Sequence, residues 1–406
     1  MRSYPSSFSL RWFAVCIFVV SSTLNYLDRN LLALLAPLVM TDLHFNQTHY
    51  GLLISAFSIA YAASSLLCGW FLDRFGINRT ISGAVGWWSL AAIGHGIVNS
   101  FPGLGMARAA LGIGESAGVP AVGKLNGIYL KPEERALGAA VNQVGLSLAG
   151  IIGPLWVAFA IRHSWREPFV INGLLGLLWI PLWLVVNRAI PARYAEQELA
   201  LAKTRVSKFS ILADRNLLLL IAANLLWMSG YSLWSNWTTL YLVHVSHIPL
   251  AATPRYVWIP PLVSNLGGFF GGWLSLRWMR KRFGAIAARR RAVLLASICS
   301  LFALLLPLAP DAAWATAGIS ISYFFSLAGS VNIYALPIDL YGAERSGLAI
   351  AALTASFGVL QMVISPLIGT MGDHNLYSQV IWLATLPLLA SALVLFGLKE
   401  TRSESQ

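Results

Sequence analysis

Apolar stretches long enough to cross a bilayer alternate with short polar breaks along the whole chain, and they predict twelve helices. The expected spans are roughly 11–40, 48–72, 79–99, 102–125, 136–161, 166–188, 214–244, 254–279, 290–308, 313–337, 346–370 and 376–397. A helix needs about 20 apolar residues to cross the hydrocarbon core, which these runs supply or approach. The first run is interrupted at its middle by Asn25-Tyr26-Leu27-Asp28-Arg29, a charged pair at membrane depth. An ionised Asp or Arg there costs roughly 2.5–3.5 kcal/mol on insertion scales, so such a group is expected to face a cavity or a partner.

An even number of spans puts both termini on one side, and the basic residues decide which. With the termini inside, the cytoplasmic segments hold Arg74, Arg79, Lys131, Arg135, Arg345 and the basic runs around residues 188–215 and 277–291, while the outer loops keep only Arg162, Arg166 and Arg255. The positive-inside rule therefore places both termini in the cytoplasm. The longest polar segment divides the chain into an N-terminal six-helix bundle (1–188), a cytoplasmic linker (189–213) and a C-terminal six-helix bundle (214–406).

A weak repeat supports the division. Gly69-Trp70-Phe71-Leu72-Asp73-Arg74 returns as Gly272-Trp273-Leu274-Ser275-Leu276-Arg277, an offset of 203 residues in a chain of 406. Glu134-Arg135 likewise corresponds to Glu344-Arg345, and Gly153-Pro154 to Ser365-Pro366. Parallel six-helix repeats are a transporter plan with the solute site near the midplane.

Composition agrees, with 57% hydrophobic and only 11% charged residues where soluble chains carry about 25% charged. The chain is expected to be an all-α integral membrane protein with the lipid bilayer as its solvent. A net charge of +12 fits basic cytoplasmic loops, so nucleic acid is not an expected partner. Cys16, Cys68 and Cys299 lie far apart in apolar segments and read as small buried hydrophobes. No phosphate-binding loop, nucleophile–base arrangement or metal-ligand cluster is legible, which argues against an enzyme and calls for no cofactor.

These residues carry a resemblance. The stretch Gly69 to Arg79 resembles the loop between helices two and three of the major facilitator superfamily, with Gly69, Asp73, Arg74 and Gly76 in place and Ile77 and Asn78 where basic residues are usual. The resemblance implies that these four residues gate, forming charge pairs or capping helix ends in one conformation and releasing them in another. Four further pieces are similar to the anion:cation symporter family within it: Asn25-Tyr26-Leu27-Asp28-Arg29; the fourth helix from Arg108 to Glu115; Trp165-Arg166-Glu167-Pro168-Phe169; and Asn332 with Asp339. That family includes bacterial hexuronate, galactonate and glucarate transporters and the sialin and vesicular glutamate branch. It implies a proton-coupled symporter of a small carboxylate, a sugar acid first of all, working as a monomer in the inner membrane by alternating access.

The residues suit that chemistry. Arg108 and Glu115 are seven apart, two helical turns, so they share a face. Asp28 and Arg29 both lie near Asn25 by helical spacing, so two carboxylates and two guanidiniums are expected to meet. An Arg fork donates two parallel hydrogen bonds to a carboxylate and keeps its charge at any biological pH. Desolvation favours the neutral form of a buried acid and a neighbouring Arg opposes this, so an anion arriving at that Arg favours protonation. Asp28 and Glu115 are thus the expected proton carriers, and Arg29 and Arg108 hold either those acids or the substrate. Static ion pairs, Asp28 with Arg29 and Arg108 with Glu115, are the alternative.

Other expected substrate contacts are Tyr26, Tyr61, Asn142, Gln143, Trp234, Asn265 and Asn332, whose hydroxyl, amide and indole groups suit a hydroxylated anion. Gly267/Gly271 and Gly268/Gly272 are small-residue pairs for close helix contact. His95, His163, His244, His247 and His374 fall at expected helix ends or outer loops, where solvated histidines are the ordinary case. Rival readings are an exporter or antiporter of another organic anion or a drug, and a membrane sensor that binds without transport.

Overall fold

The computed structural model describes residues 8–130, 134–188, 209–281 and 283–399; most of the expected linker, 189–208, lies outside them. The described residues are helical throughout, with no strand. They comprise α1 (Phe8–Asp42), α2 (Gln47–Ile97), α3 (Phe101–Glu115), α4 (Gly118–Tyr129), α5 (Arg135–Arg162), α6 (Arg166–Arg188), α7 (Arg215–His244), α8 (Ile259–Arg280), α9 (Ala285–Ser300), α10 (Ala312–Asp373) and α11 (Tyr377–Leu395). Short 3-10 turns cover Phe209–Ala213, Leu250–Arg255 and Leu301–Leu308.

Several boundaries differ from the sequence expectation. The range α2 holds the second and third expected helices, which meet at a kink where the backbone of Gly76 is not helical (φ 78, ψ 163), and α10 holds the tenth and eleventh, which meet likewise at Gly342 (φ 70, ψ 172). A positive φ inside a helix is tolerated by glycine because it has no Cβ. The fourth expected helix is instead two, α3 and α4, parted at Ser116 and Ala117. The ninth begins at Ala285, ahead of its basic triplet: Arg289 pairs with Asp339, Arg290 donates to the Leu398 carbonyl, and Arg291 lies on the Phe283 ring.

Among the described residues, six segments are long and apolar enough to cross a membrane: Arg166–Arg188, Arg215–His244, Ala285–Leu308, Ala312–Gly342, Ser346–Asp373 and Tyr377–Leu395. The first of these shows why this is no soluble bundle. One face of α6 buries Phe169, Gly176, Trp179 and Trp183, while Leu174, Leu178, Leu182 and Val185 are exposed on another. A helix apolar all round and only partly covered by protein needs lipid for the rest.

The chain divides into two compact units, Met1–Phe45 with Leu52–Arg205, and Asn46–Gly51 with Val206–Gln406. In the first, α1 packs on α5 and α6, and an apolar core gathers Phe18, Ile81, Trp88, Leu111, Trp179 and Trp183. Gly112 lets α3 close on α2, since a Cβ there would stand 2.4 Å from the Phe57 carbonyl oxygen. In the second, α10 packs on α7, α8 and α9 around Trp227, Val293, Ile333 and Leu388. A Cβ at Gly267 or Gly271 would lie 2.1 Å from the carbonyl oxygens of Phe324 and Ala328, so this pair does bring α8 against α10; Gly268 has looser contacts and Gly272 none within 4 Å. Within this unit the Asp373 carboxylate accepts from the backbone N–H groups of Gln47 (2.8 Å) and Thr48 (3.0 Å). The three cysteines are free, and they depart from expectation in burial alone: Cys16 is exposed and Cys68 and Cys299 are half-buried, because they lie off the packed helix faces.

Candidate functional site

The first unit places a charged cluster among α1, α2 and α3. Asp28 is 1% exposed and Glu115 is fully buried, as the pattern of apolar neighbours around them requires. Arg29 reaches from α1 to α3 and donates to Glu115 Oε2 from Nε (3.1 Å) and Nη2 (3.0 Å). Its guanidinium lies over three rings, those of Tyr26 (5.2 Å), Phe57 (5.1 Å) and Tyr61 (4.9 Å). Tyr61 stacks on Phe57 one helical turn away, so the cage is built by i, i+4 spacing on α2. Glu115, weighed from sequence as a static partner of Arg108, is bridged across helices by Arg29. Adjacent residues on a helix point about 100° apart, which turns Arg29 away from Asp28.

Arg108 is buried on α3, with its guanidinium 4.9 Å from the same Phe57 ring, and it acts electrostatically on both Asp28 and Glu115. Asn172 of α6 stands beside Asp28 and donates to the Leu24 carbonyl (3.2 Å). Asp28 Oδ1 and Glu115 Oε1 are buried without a hydrogen-bond partner among the described residues. A buried carboxylate oxygen left so is a place for a proton, a water or a ligand donor. The Arg29 side chain is 27% exposed, so the bridge is accessible from the guanidinium end alone.

Next to this cluster is a cavity of about 230 Å³ whose walls include Ser22, Asn25, Tyr26, Trp88, Val122 and Asn142. It is smaller than the roughly 300–1,000 Å³ typical of drug-sized ligands and suits a small solute. Ser22 donates to Asn142 Oδ1 (2.8 Å), whereas the buried Asn25 Nδ2 has no acceptor among the described residues. The amide thus offers an unused donor beside an empty volume.

Other expected site residues belong to the second unit. Trp234 donates to Ser322 Oγ (2.8 Å), Asn265 to the Pro261 carbonyl (3.1 Å), and the buried Asn332 to the carbonyls of Gly271 (3.0 Å) and Ala328 (2.9 Å). Trp234 and Asn332 thereby tie helices of the second unit together, while the Asn265 bond stays within α8. The side chains of Gln143 and Asp73 lie outside the described ones. Of the remaining gating set, Gly69 has open space around it, Arg74 lies 6.0 Å from the Trp70 ring, and Gly76 makes the bend of α2. The Trp165-to-Phe169 piece serves as a clamp: Trp165 Nε1 (3.1 Å) and Arg166 Nη1 (2.8 Å) both donate to Asp42 at the end of α1. His95 is the clear correction, since it is fully buried and not solvated. Sequence reading also missed Phe57, Asn172 and His95 as neighbours of the charges; an amide and an imidazole within apolar runs were the available signals.

The model of the Major Facilitator Superfamily matches residues 18–333. The chain is 26% identical over 407 aligned positions to the hexuronate transporter of Escherichia coli (strain K12), covering 95% of this chain and 93% of that protein. It is 27% identical over 306 positions to the galacturonate transporter of Dickeya chrysanthemi, covering 71% and 88%. Among solved structures, it is similar in fold to a bacterial homolog of the human lysosomal transporter Spinster in an inward-facing, occupied conformation (TM-score 0.77, 20% identity, 96% and 97% coverage). It is similar also to a D-xylose–proton symporter (TM-score 0.72, 13% identity, 98% and 99% coverage).

Proposed function

The chain belongs to the Major Facilitator Superfamily and is therefore a multi-pass membrane transporter, not an enzyme; from that premise we propose that it imports a sugar acid together with protons. In this reading the chain forms twelve spans in two six-helix bundles, sits in the inner membrane with both termini cytoplasmic, works as a monomer and transports by alternating access. The hexuronate and galacturonate relatives support the substrate class. The observation that carries the mechanism is the Arg29–Glu115 bridge in its aromatic cage beside the cavity.

A substrate carboxylate entering the cavity competes with Glu115 for Arg29, whose side chain is partly exposed. The Arg fork is equally suited to either carboxylate, so the exchange costs little and binding energy is not lost to bond breaking. Glu115, released with no solvent around it, takes a proton and is discharged. Asp28, buried with an unpartnered oxygen and acted on by Arg108, supplies a second proton site. Asn25, Asn142 and Ser22 hold the substrate hydroxyls, and Tyr26 and Tyr61 keep the guanidinium in place when either anion is absent. Entry of one negative charge against an inside-negative potential costs about 2.3 kcal/mol per 100 mV, which one proton cancels and two reverse.

The test is uptake of labelled galacturonate, glucuronate, galactonate and glucarate into proteoliposomes, with an imposed inward proton gradient and with the gradient collapsed. Accumulation of at least one acid is expected only with the gradient, and Asp28→Asn and Glu115→Gln are each expected to abolish it. Full accumulation by both variants would sink the coupling mechanism, and no gradient-dependent uptake of any acid would sink the substrate class.

A further inference from the structure

Asn172 is a fully buried amide to which the coupling scheme gives no task. Two side-chain bonds join α6 to α1 along an antiparallel seam. Asn172 donates through Nδ2 to the Leu24 carbonyl (3.2 Å), and Trp179 donates through Nε1 to the Ile17 carbonyl (2.7 Å). Residues 172 and 179 are seven apart on α6, as 17 and 24 are on α1, so the two bonds lie two turns apart on facing stripes. Behind the seam Gly173 lets α6 close on α2, since a Cβ there would stand 2.5 Å from the Ser89 carbonyl oxygen. The position of the amide is therefore set by helix packing.

As clamps the two side chains are not equivalent. An indole has a single polar atom, and the Trp179 bond uses it. An amide has two donor hydrogens and a carbonyl, and the Leu24 carbonyl, which can only accept, takes one hydrogen of Nδ2. Asn172 Oδ1 is left buried without a hydrogen-bond partner among the described residues, and so is Asp28 Oδ1. The two groups are neighbours. Leu24 and Asp28 are one helical turn apart, and a helical side chain leans back over the turn before it, which carries the Asp28 carboxyl toward the carbonyl that Asn172 holds. Asn172 stands within hydrogen-bonding reach of that carboxyl. The charges that act on Asp28 are Arg108 and Glu115 of α3. Its neighbour Arg29 is engaged with Glu115 and lies over Tyr61 of α2, Lys124 of α4 donates to the Leu72 carbonyl, and α5 and α6 carry charged residues only in their end turns.

Two buried acceptors in one small space lack a hydrogen, and a proton on the Asp28 carboxyl supplies it. Building on the reading that Asp28 carries a proton, we propose that Asn172 is its positioning residue, an amide partner that serves the carboxyl in both protonation states. In the protonated state the Asp28 O–H donates to Asn172 Oδ1, and the carboxyl's other oxygen accepts the second Nδ2 hydrogen, as a carboxylic acid and a primary amide pair. In the ionised state the same Nδ2 hydrogen serves the carboxylate. Asp28 forms one O–H bond with a proton from water and gives that proton back to water on release, while Asn172 neither gains nor loses one. An apolar side chain at 172 would leave either state of Asp28 short of a partner, which is costly at this depth.

The experiment exchanges the pair. Full-length protein in proteoliposomes is assayed for accumulation of labelled galacturonate under an inward proton gradient, and in detergent for galacturonate binding by calorimetry. Asp28→Asn is expected to lose accumulation, and adding Asn172→Asp returns one carboxyl and one amide to the same place with their helices exchanged. The double variant is expected to recover at least about a tenth of wild-type accumulation. A double variant that binds galacturonate and stays uncoupled would overturn the proposal. Asn172→Leu, of similar size and without polar atoms, decides where the double variant does not fold. Its accumulation is expected to fall about tenfold or more with binding within about threefold of the wild type, and wild-type accumulation would overturn the proposal. Trp179→Phe removes the other bond of the seam and is expected to lower the melting temperature and leave accumulation unchanged. A loss there equal to that of Asn172→Leu would make Asn172 a clamp and nothing more. Asp28→Asn protein that accumulates galacturonate like the wild type would instead sink the reading on which the inference rests, a result distinct from these.

Discussion

Buried charge among the described residues is confined to one of the two units. Among the described residues, the charged side chains in the interior are Arg11, Asp28, Arg108 and Glu115, with His95 beside them, and all belong to the first unit. The interior of the second holds polar groups in greater number, but they are neutral. Asn224 donates to the Leu353 carbonyl (2.9 Å), Trp227 to that of Ser326 (2.8 Å), Ser229 to that of Ala384 (2.8 Å) and Ser391 to that of Ala223 (2.7 Å). These bonds link α7 to α10 and α11, and no proton or ion in the physiological range alters them. The Arg29–Glu115 bridge, by contrast, changes strength with protonation or with a competing anion. The two units thus carry different physics, with a fixed frame in one and a set of charges that responds to protons and anions in the other.

The comparison can be broken hardest at Arg29. Arg29→Gln leaves Glu115 as a buried carboxylate without its cation, and breaking a buried pair in this way costs about 3–5 kcal/mol. The double variant Arg29→Gln with Glu115→Gln is expected to recover most of that loss, since no uncompensated charge remains. Thermal unfolding in detergent reads both. A single variant as stable as the wild type would mean that the bridge is only a surface pair and the units do not differ as described.

A smaller effect is expected in the second unit. Asn332→Ala removes two donated bonds and leaves the Gly271 and Ala328 carbonyls short of a partner, a loss of about 1–3 kcal/mol. Proton-driven uptake by the folded variant is expected to match the wild type. Loss of coupling at normal expression would place chemistry in the second unit and undo the contrast.

How much of this could be read in the sequence depended on the range of the interactions. Helix positions followed from long apolar runs, because burial in lipid needs only composition. The breaks at Gly76 and Gly342 fall where the polar pattern put them, whereas Ser116 and Ala117 part α3 from α4 inside a run that reads as one helix although it carries Glu115. For the charged cluster, residue types marked Asp28, Arg29, Arg108 and Glu115, and spacing put Arg108 and Glu115 on one face. Which acid met which base was not legible, because the bridge joins residues 86 apart and depends on how α1 and α3 rotate against each other. The same limit hid the partners of Asn332, whose amide donates to carbonyls of α8 and of its own helix. His95 was misjudged from its place near a helix end, since the end of α2 is covered by α6.

The smallest expected effect sharpens the comparison from within the first unit. Asp42, just beyond the apolar run of α1, accepts from Arg166 and Trp165, and these donors hold its carboxyl below the usual carboxylate range. A folded value below the unfolded one, about 3.9 for Asp, means that the contribution is fully present above that pH and is lost as pH falls through the folded value. The pair is nearly half exposed on the acid's side, so added salt weakens it. Melting temperatures of wild type and Asp42→Asn are therefore expected to differ modestly at neutral pH, to converge below about pH 4, and to lie closer together at high salt. A difference that persists undiminished into acid would show that Asp42 acts by packing and not by charge. Convergence would make this pair an ordinary surface ion pair, and the unusual property of the first unit would then belong to the depth at which it holds its other charges, not to the number of charges it carries.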